Sequence, residues 1–270
     1  MKYLSHWLTL GIATTFTMST WAATVVEQRD AQGNIQKVTI EKAFARMEGF
    51  KPELYMLVDF QTKKMYMVNI KEQKAIENNM NSEGVAMPPG MKQPQSPPEV
   101  EAKLVKIGDG PEIAGYATVH YRVTANGEVC SDDYFSENAD KVEYIHSFSE
   151  MMDGFRKKTI KSMPFMPANP CLHAYNKLQS EFLKHGTVLK SVAKDGKVMN
   201  EVVSIKTGVE VAPDLLKIPE GYKIMTEKEL MEQMRQRFEN MQRNQGGQSP
   251  GMPGMMPPQS NQPQQPPSNQ

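Results

Sequence analysis

The chain has 270 residues, and its 31 basic side chains are balanced by 31 acidic ones, with neither sign gathered into long blocks. Such a balance offers no basic face to neutralise phosphates, which argues against a nucleic-acid partner, and gives no electrostatic steering towards an anionic membrane surface. With 39% apolar residues and a length in the single-domain range, the chain has material for one substantial core.

The first residues have the pattern of an export signal. Lys2 supplies a short positive region, Leu8 to Met18 is an uncharged and mostly apolar run, and Thr20-Trp21-Ala22 places small residues three and one positions before a cut. The expected signal peptide is 1–22, with cleavage after Ala22. The apolar run is well short of the roughly 20 residues needed to cross a bilayer, and no other stretch comes closer, so no transmembrane segment is expected in the mature chain. No Cys follows the cut, so no lipid anchor is expected either. The expected location is the periplasm or the outside of the cell.

From Ala23 to Arg243 the pattern is that of a single β-rich domain. Ile35 to Lys42 places Val38 and Ile40 on one side of a strand. Leu54 to Phe60 and Met65 to Ile70 form a hairpin around Gln61-Thr62-Lys63-Lys64, with Asp59 as a turn former. A Met- and Pro-rich patch, Asn78 to Pro98, interrupts the ordered region and is expected to be a long loop, 79–98. Leu104 to Ile107 is a short strand. Tyr116 to Val123 is the cleanest one, with Ala117, Val119, Tyr121 and Val123 facing one way and His120 expected in solvent on the other. Asn126-Gly127 then turns the chain into a returning strand, Glu128 to Tyr134, in which Asp132-Asp133 is taken for a charged turn.

Helical spacing follows. Val142, Ile145, Phe148, Met152 and Phe155 recur at three- and four-residue steps, with Asn138 or Asp140 available as cap. Asn169-Pro170 opens a second helix striped by Leu172, Tyr175, Leu178 and Phe182 and ended by Gly186. Val188 to Val192 and the stretch from Val203 to Val211 return to strand, around a turn at Lys194-Asp195-Gly196. Thr226-Glu227-Lys228-Glu229 is a capping box for a third helix, striped by Leu230, Met234, Phe238 and Met241. The fold class is therefore α+β: a mainly antiparallel twisted sheet or half-barrel with two to three helices. From 244 to 270 the composition collapses to Gln, Pro, Met, Gly, Asn and Ser, and a disordered tail is expected.

Several runs taken together resemble a family of exported bacterial proteins of unknown function: Val58-Asp59 with Lys64-Met65-Tyr66-Met67-Val68, then Ile113-Ala114-Gly115-Tyr116, and Lys217-Ile218-Pro219-Glu220-Gly221-Tyr222. The resemblance covers roughly Ile35 to Met225. It implies an Asp-led hairpin, an I-A-G-Y run opening a long strand, and an I-P-x-G-Y turn with Ile218 and Tyr222 tucked into the sheet edge. The architecture is also similar to the half-open sheets of periplasmic lipoprotein carriers (LolA/LolB-like), in which helices close over an apolar cavity. No catalytic residues are carried over from either.

Chemistry is sparse. Cys130 and Cys171 are taken as a structural disulfide, as two Cys in an oxidising compartment usually are; a redox or metal-binding thiol pair is the competing reading. His120, His146, His173 and His185 have no zinc-site spacing, and no nucleophile elbow or phosphate loop is present. No cofactor and no enzymatic activity are expected. The leading expectation is a binding or scaffold protein holding an apolar small molecule or lipid between sheet and helices. Phe148, Met152, Phe155, Tyr175 and Phe182 are the candidate pocket residues, against the alternative that they simply seal the sheet. A second expectation rests on the 21 methionines, which outnumber the leucines. Met87, Met91, Met252, Met255 and Met256 cluster thioethers that suit Cu(I), against the alternative of methionine as pliable filler.

Overall fold

The computed structural model describes residues 21–81, 99–162 and 169–244. Six strands follow one another in its first part: β1 (Trp21–Asp30), β2 (Ile35–Ile40), β3 (Phe44–Lys51), β4 (Leu54–Asp59), β5 (Lys64–Asn69) and β6 (Lys74–Asn79). Each pairs antiparallel with the next. Their turns are closed by short polar side chains. Asp30 accepts from the backbone N–H of Gln32 and Asn34, and Asp59 from those of Gln61 and Thr62, which is the turn-forming role expected of it.

The second part holds β7 (Ala102–Asp109), β8 (Val119–Ala125), β9 (Glu128–Ser136), a one-turn helix α1 (Glu137–Asp140), α2 (Ile145–Ser162), α3 (Pro170–Phe182), β10 (Thr187–Ala193) and β11 (Val198–Val211). Its strands also pair in sequence. The two runs are joined where β11 returns beside β1, Ala23 opposite Val209 and Asp30 opposite Asn200. A 3-10 turn, Pro213–Leu216, leads to β12 (Lys223–Thr226), which lies parallel to β6. The result is an open, mixed sheet of twelve strands in the order β12-β6-β5-β4-β3-β2-β1-β11-β10-β9-β8-β7, antiparallel everywhere except at β12. The α+β reading stands. Helix α4 (Glu227–Asn244) belongs, from Lys228 on, to a second unit in which Met231 and Met234 are exposed.

Several boundaries move. The expected cleavage after Ala22 falls inside β1, whose Trp21 and Ala22 pair with Val211 and Glu210. The long loop cannot begin at 78 or 79, because Asn78 and Asn79 complete β6 opposite Met65 and Lys64. Within the span expected as one domain, up to 243, one compact unit runs to Glu227 and a second begins at Lys228. The I-A-G-Y run does not open a strand. Ala114 and Gly115 both take positive φ, 51° and 84°, and Ile113 and Tyr116 exchange two backbone hydrogen bonds, so the four residues make a tight two-residue turn before β8 begins at Val119. The cap before the helices is Ser136, whose hydroxyl accepts from the Ala139 N–H. The Met/Pro-rich segment 82–98 and the tail beyond Asn244 lie outside the described residues, and with them Met87, Met91, Met252, Met255 and Met256.

Both sheet faces are covered, by different means. On one face α2 lies over the first run, where Ile145, Phe148, Met152 and Phe155 pack with Val38, Ile40, Ala45, Val58 and Met65. On the same face α3 lies over the second run, and Ala174, Leu178 and Phe182 pack with Val123, Ala125 and Phe135. On the opposite face of β4 to β6, Ile218 and Tyr222 cover Tyr55, Leu57, Val68 and Ala75. They are thus laid on the sheet face and not tucked into its edge, which β12 occupies. The segment is held by Arg46, whose guanidinium stacks 3.7 Å from the Tyr55 ring centroid and donates to the Leu215 carbonyl at 3.0 Å.

The start of α3 is fixed covalently. Val123 pairs with Ser131 and Thr124 with Val129, which leaves Cys130 as the extra residue of a β-bulge. The bulge brings Cys130 as well as Ser131 to the helix side, and Cys130 is bonded to Cys171 with 5.5 Å between Cα atoms. Asn169 caps the helix by accepting from the N–H groups of Cys171 and Leu172. The bond closes a sequence separation of 41 residues. Replacing both cysteines with Ala should therefore lower unfolding free energy by about 4 kcal/mol, less any strain relieved, as measured by urea denaturation. A loss under about 1 kcal/mol would show that α3 is held by its packing alone.

Candidate functional site

Strand β9 carries an unusual alternation. Ser131, Asp133 and Phe135 project to the helix-covered face while Asp132 and Tyr134 project to the other, as the two-residue period of a strand requires. The expectation of a charged turn at Asp132-Asp133 is therefore corrected: the pair lies mid-strand, and its two carboxylates serve different sides of the sheet.

On the side away from the helices, Asp132 accepts from Arg122 Nε at 2.8 Å and Nη2 at 3.2 Å, and lies 2.9 Å from His120 Nε2. The Arg122 hydrogen bond holds the Asp132 carboxyl below its usual range. His120 stacks on Tyr134 with ring centroids 4.8 Å apart and its side chain is only 17% exposed. It is on the face expected but is not a solvent-exposed residue.

On the covered side, Asp133 is 1% exposed. The Ser131 hydroxyl donates to its Oδ2 at 3.0 Å, the Tyr175 hydroxyl of α3 lies 3.2 Å from the same oxygen and also bonds Ser131 Oγ, and Ser191 of β10 is a third hydroxyl partner. Burial pushes the Asp133 carboxyl above its ordinary value, against the pull of those three hydroxyls. Burial and the nearby Asp133 charge likewise push the Tyr175 phenol far up, so it remains a donor.

Helices α2 and α3 are clasped over this floor. Arg156 Nη1 donates to Asn176 Oδ1 at 2.6 Å, and Lys157 Nζ to Ser180 Oγ at 2.9 Å. Towards the other ends of the helices a cavity of about 310 Å³ opens, with Asp133, Tyr175, Gln179, Phe182, Ser191 and Asn200 among its walls. Its rim includes Gly186, at φ +92°, where an added Cβ would stand 2.5 Å from the Ser136 carbonyl, so the turn from α3 into β10 demands glycine. Ser149 and Gln179 line this cavity and also a neighbouring groove of about 410 Å³, bordered by Met152, Phe155 and Arg156.

Of the five candidate pocket residues, Tyr175 and Phe182 line the cavity and Met152 and Phe155 the neighbouring groove. Phe148 lines neither and packs into the core beneath α2. Sequence reasoning missed Asp133, Ser191 and Asn200. The available signal was Ser131 and Asp133 sharing period-two positions with Phe135, that is, polar residues on the core-facing side of a strand. Among the described residues no group of three or more His, Cys, Asp or Glu is arranged to hold a metal ion, and no helix is long and apolar enough to cross a membrane. No family model matches the chain, and no curated protein matches it either.

Because the folded Asp133 carboxyl titrates above its ordinary value near 3.8, the folded state keeps a proton that the unfolded state has already lost. The contribution of Asp133 to stability must then fall as pH rises from that ordinary value through the raised one. Asp133→Asn has no such titration. In urea denaturation the variant should gain on the native protein as pH rises through this window, and the two curves should keep a constant offset once the pH is above it. An offset that does not change with pH between acid and neutral would show that Asp133 titrates normally.

Proposed function

We propose that this is a binding protein of an oxidising, extracytoplasmic compartment that holds a small amphipathic molecule in the cleft between α2 and α3. The observation that carries the reading is the cleft itself: a cavity of about 310 Å³ with polar groups in its floor, next to a groove of about 410 Å³ bordered by Met152 and Phe155. Both volumes fall within the roughly 300–1,000 Å³ of small-molecule sites, where a few placed polar groups orient a ligand that apolar walls retain. The wall residues suit a range of shapes, since an unbranched Met152 repacks readily. The Cys130–Cys171 bond agrees with export, as does the signal-like N-terminus. The likeness to lipoprotein carriers is in keeping with helices laid over an open sheet, and the polar floor of the cavity favours a ligand with a polar head as well as an apolar body.

The neutral fluorescent amphiphile N-phenyl-1-naphthylamine tests this. It should bind saturably to the full chain with a rise in emission and raise the melting temperature with concentration. Ser149→Trp, which plugs the junction of cavity and groove, should abolish the signal while leaving the melt of the unliganded protein within about 3 °C, as expected of a substitution at a partly exposed helix position. No saturable binding to the native protein, or undiminished binding to Ser149→Trp, would overturn the reading.

A further inference from the structure

Two carboxylates are buried among the described residues, and they are treated differently. Asp153 of α2 has two cations of its own chain: Arg156 at 3.0 Å and Lys157 at 2.6 Å. Although burial opposes ionisation of Asp153, the hydrogen bonds from Lys157 and Arg156 outweigh it and hold its carboxyl below the ordinary value. Asp133 is buried more deeply, and its polar partners are the hydroxyls of Ser131, Tyr175 and Ser191; no lysine, arginine or histidine forms an ion pair with it among the described residues. A desolvated carboxylate is costly unless a positive charge accompanies it. This one is also not sealed in the core, for it forms part of the wall of the cavity between α2 and α3.

Resting on the cleft reading above, we infer that the counter-charge to Asp133 arrives with the ligand: the cavity takes the protonated amine head of an amphiphile whose apolar body lies along Met152 and Phe155. Asp133 is the one ionisable carboxylate or base on the cavity's wall; the other polar groups there are hydroxyls and the amides of Gln179 and Asn200. An ammonium donates three hydrogen bonds and accepts none, and carboxylate, hydroxyl and amide oxygens can all accept them. The rings of Tyr175 and Phe182, packed edge to face with centroids 5.8 Å apart, also line the cavity. An anionic head in this cavity, such as that of a fatty acid, would meet Asp133 with like charge, and no lysine or arginine is on the cavity wall to receive it. The same residue that makes an unliganded cavity costly thus selects against the commonest anionic amphiphiles.

Calorimetric titration of the full native chain with octylamine, 1-octanol and octanoate, at neutral pH and one ionic strength, separates the possibilities. Octylamine should bind tightest, by about tenfold over octanol as a charge-assisted hydrogen bond warrants, with octanoate weakest. In Asp133→Asn, checked for its fold by thermal melting, the preference for the amine should collapse to about twofold or less. Equal binding of the three heads by the native protein, or preference for octanoate, would overturn the amine inference while leaving the cleft as a binding site. Binding of none of the three would overturn the cleft reading and this inference with it. The head-group comparison in the native protein needs no variant, so a misfolded Asp133→Asn would not obscure the result.

Discussion

The pairing of β1 with β11 is the constraint on which the architecture depends. Without it the chain holds two separate antiparallel meanders, β1 to β6 and β7 to β11, each with an unpaired edge at the side where the other now lies. The seam runs from Trp21 opposite Val211 to Asp30 opposite Asn200, with two register shifts that keep a long and twisted pair in step. It joins the first described strand to one nearly 180 residues later, a contact such as Ser204 Oγ to Glu27 Oε2 spanning 177 positions. Closing so long a loop is entropically costly before any contact forms, so the fold is completed by its least local pairing.

Once the sheet is continuous, α2 and α3 share one face and must meet over its middle. Each has its own apolar footing, α2 on β2 to β5 and α3 on β7 to β9. Neither footing extends fully over β10 and β11, and the cleft lies there. Its floor is thus a consequence of geometry: where the two helical stripes diverge, the strands below are left without an apolar cover, and polar Asp133, Ser191 and Asn200 take the place that aliphatic side chains hold elsewhere. The clasp of Arg156 on Asn176 and Lys157 on Ser180 keeps the helices together at the far end of the opening.

The bulge at Cys130 ties these features to one another. A regular β9 would send Cys130 and Ser131 to opposite faces, leaving either the disulfide or the Ser131–Tyr175 contact unmade. With one extra residue the strand offers both to α3, at Cys171 and, one turn on, at Tyr175. The helix is held at its first turn by a covalent bond and then by a buried hydroxyl resting on a buried carboxylate. Tyr175 is for this reason both a structural anchor and part of the cavity wall.

What the sequence by itself determined was whatever depends on neighbours along the chain. The alternation of Val119, Tyr121 and Val123, the Asn126-Gly127 turn, the Asn169-Pro170 start of α3 and the Asp59 turn are local patterns and could be read directly. The pairing of the two cysteines was legible too, because only two exist in the chain. Strands β1, β3, β6 and β12 were not legible. Thr20-Trp21-Ala22 has the spacing of a cleavage site, the register of β3 shifts after Met47, and in β6 only Ala75 is buried. The tertiary structure alone decided that Asp133 lies in the interior and that His120 is stacked and shielded, since each is governed by residues of other elements: Tyr175 and Ser191 for the first, Asp132 and Tyr134 for the second. The cleft belongs to the same class. It exists because two helices, each amphipathic for its own reasons, are set on one sheet by a seam between β1 and β11 that no local pattern announces.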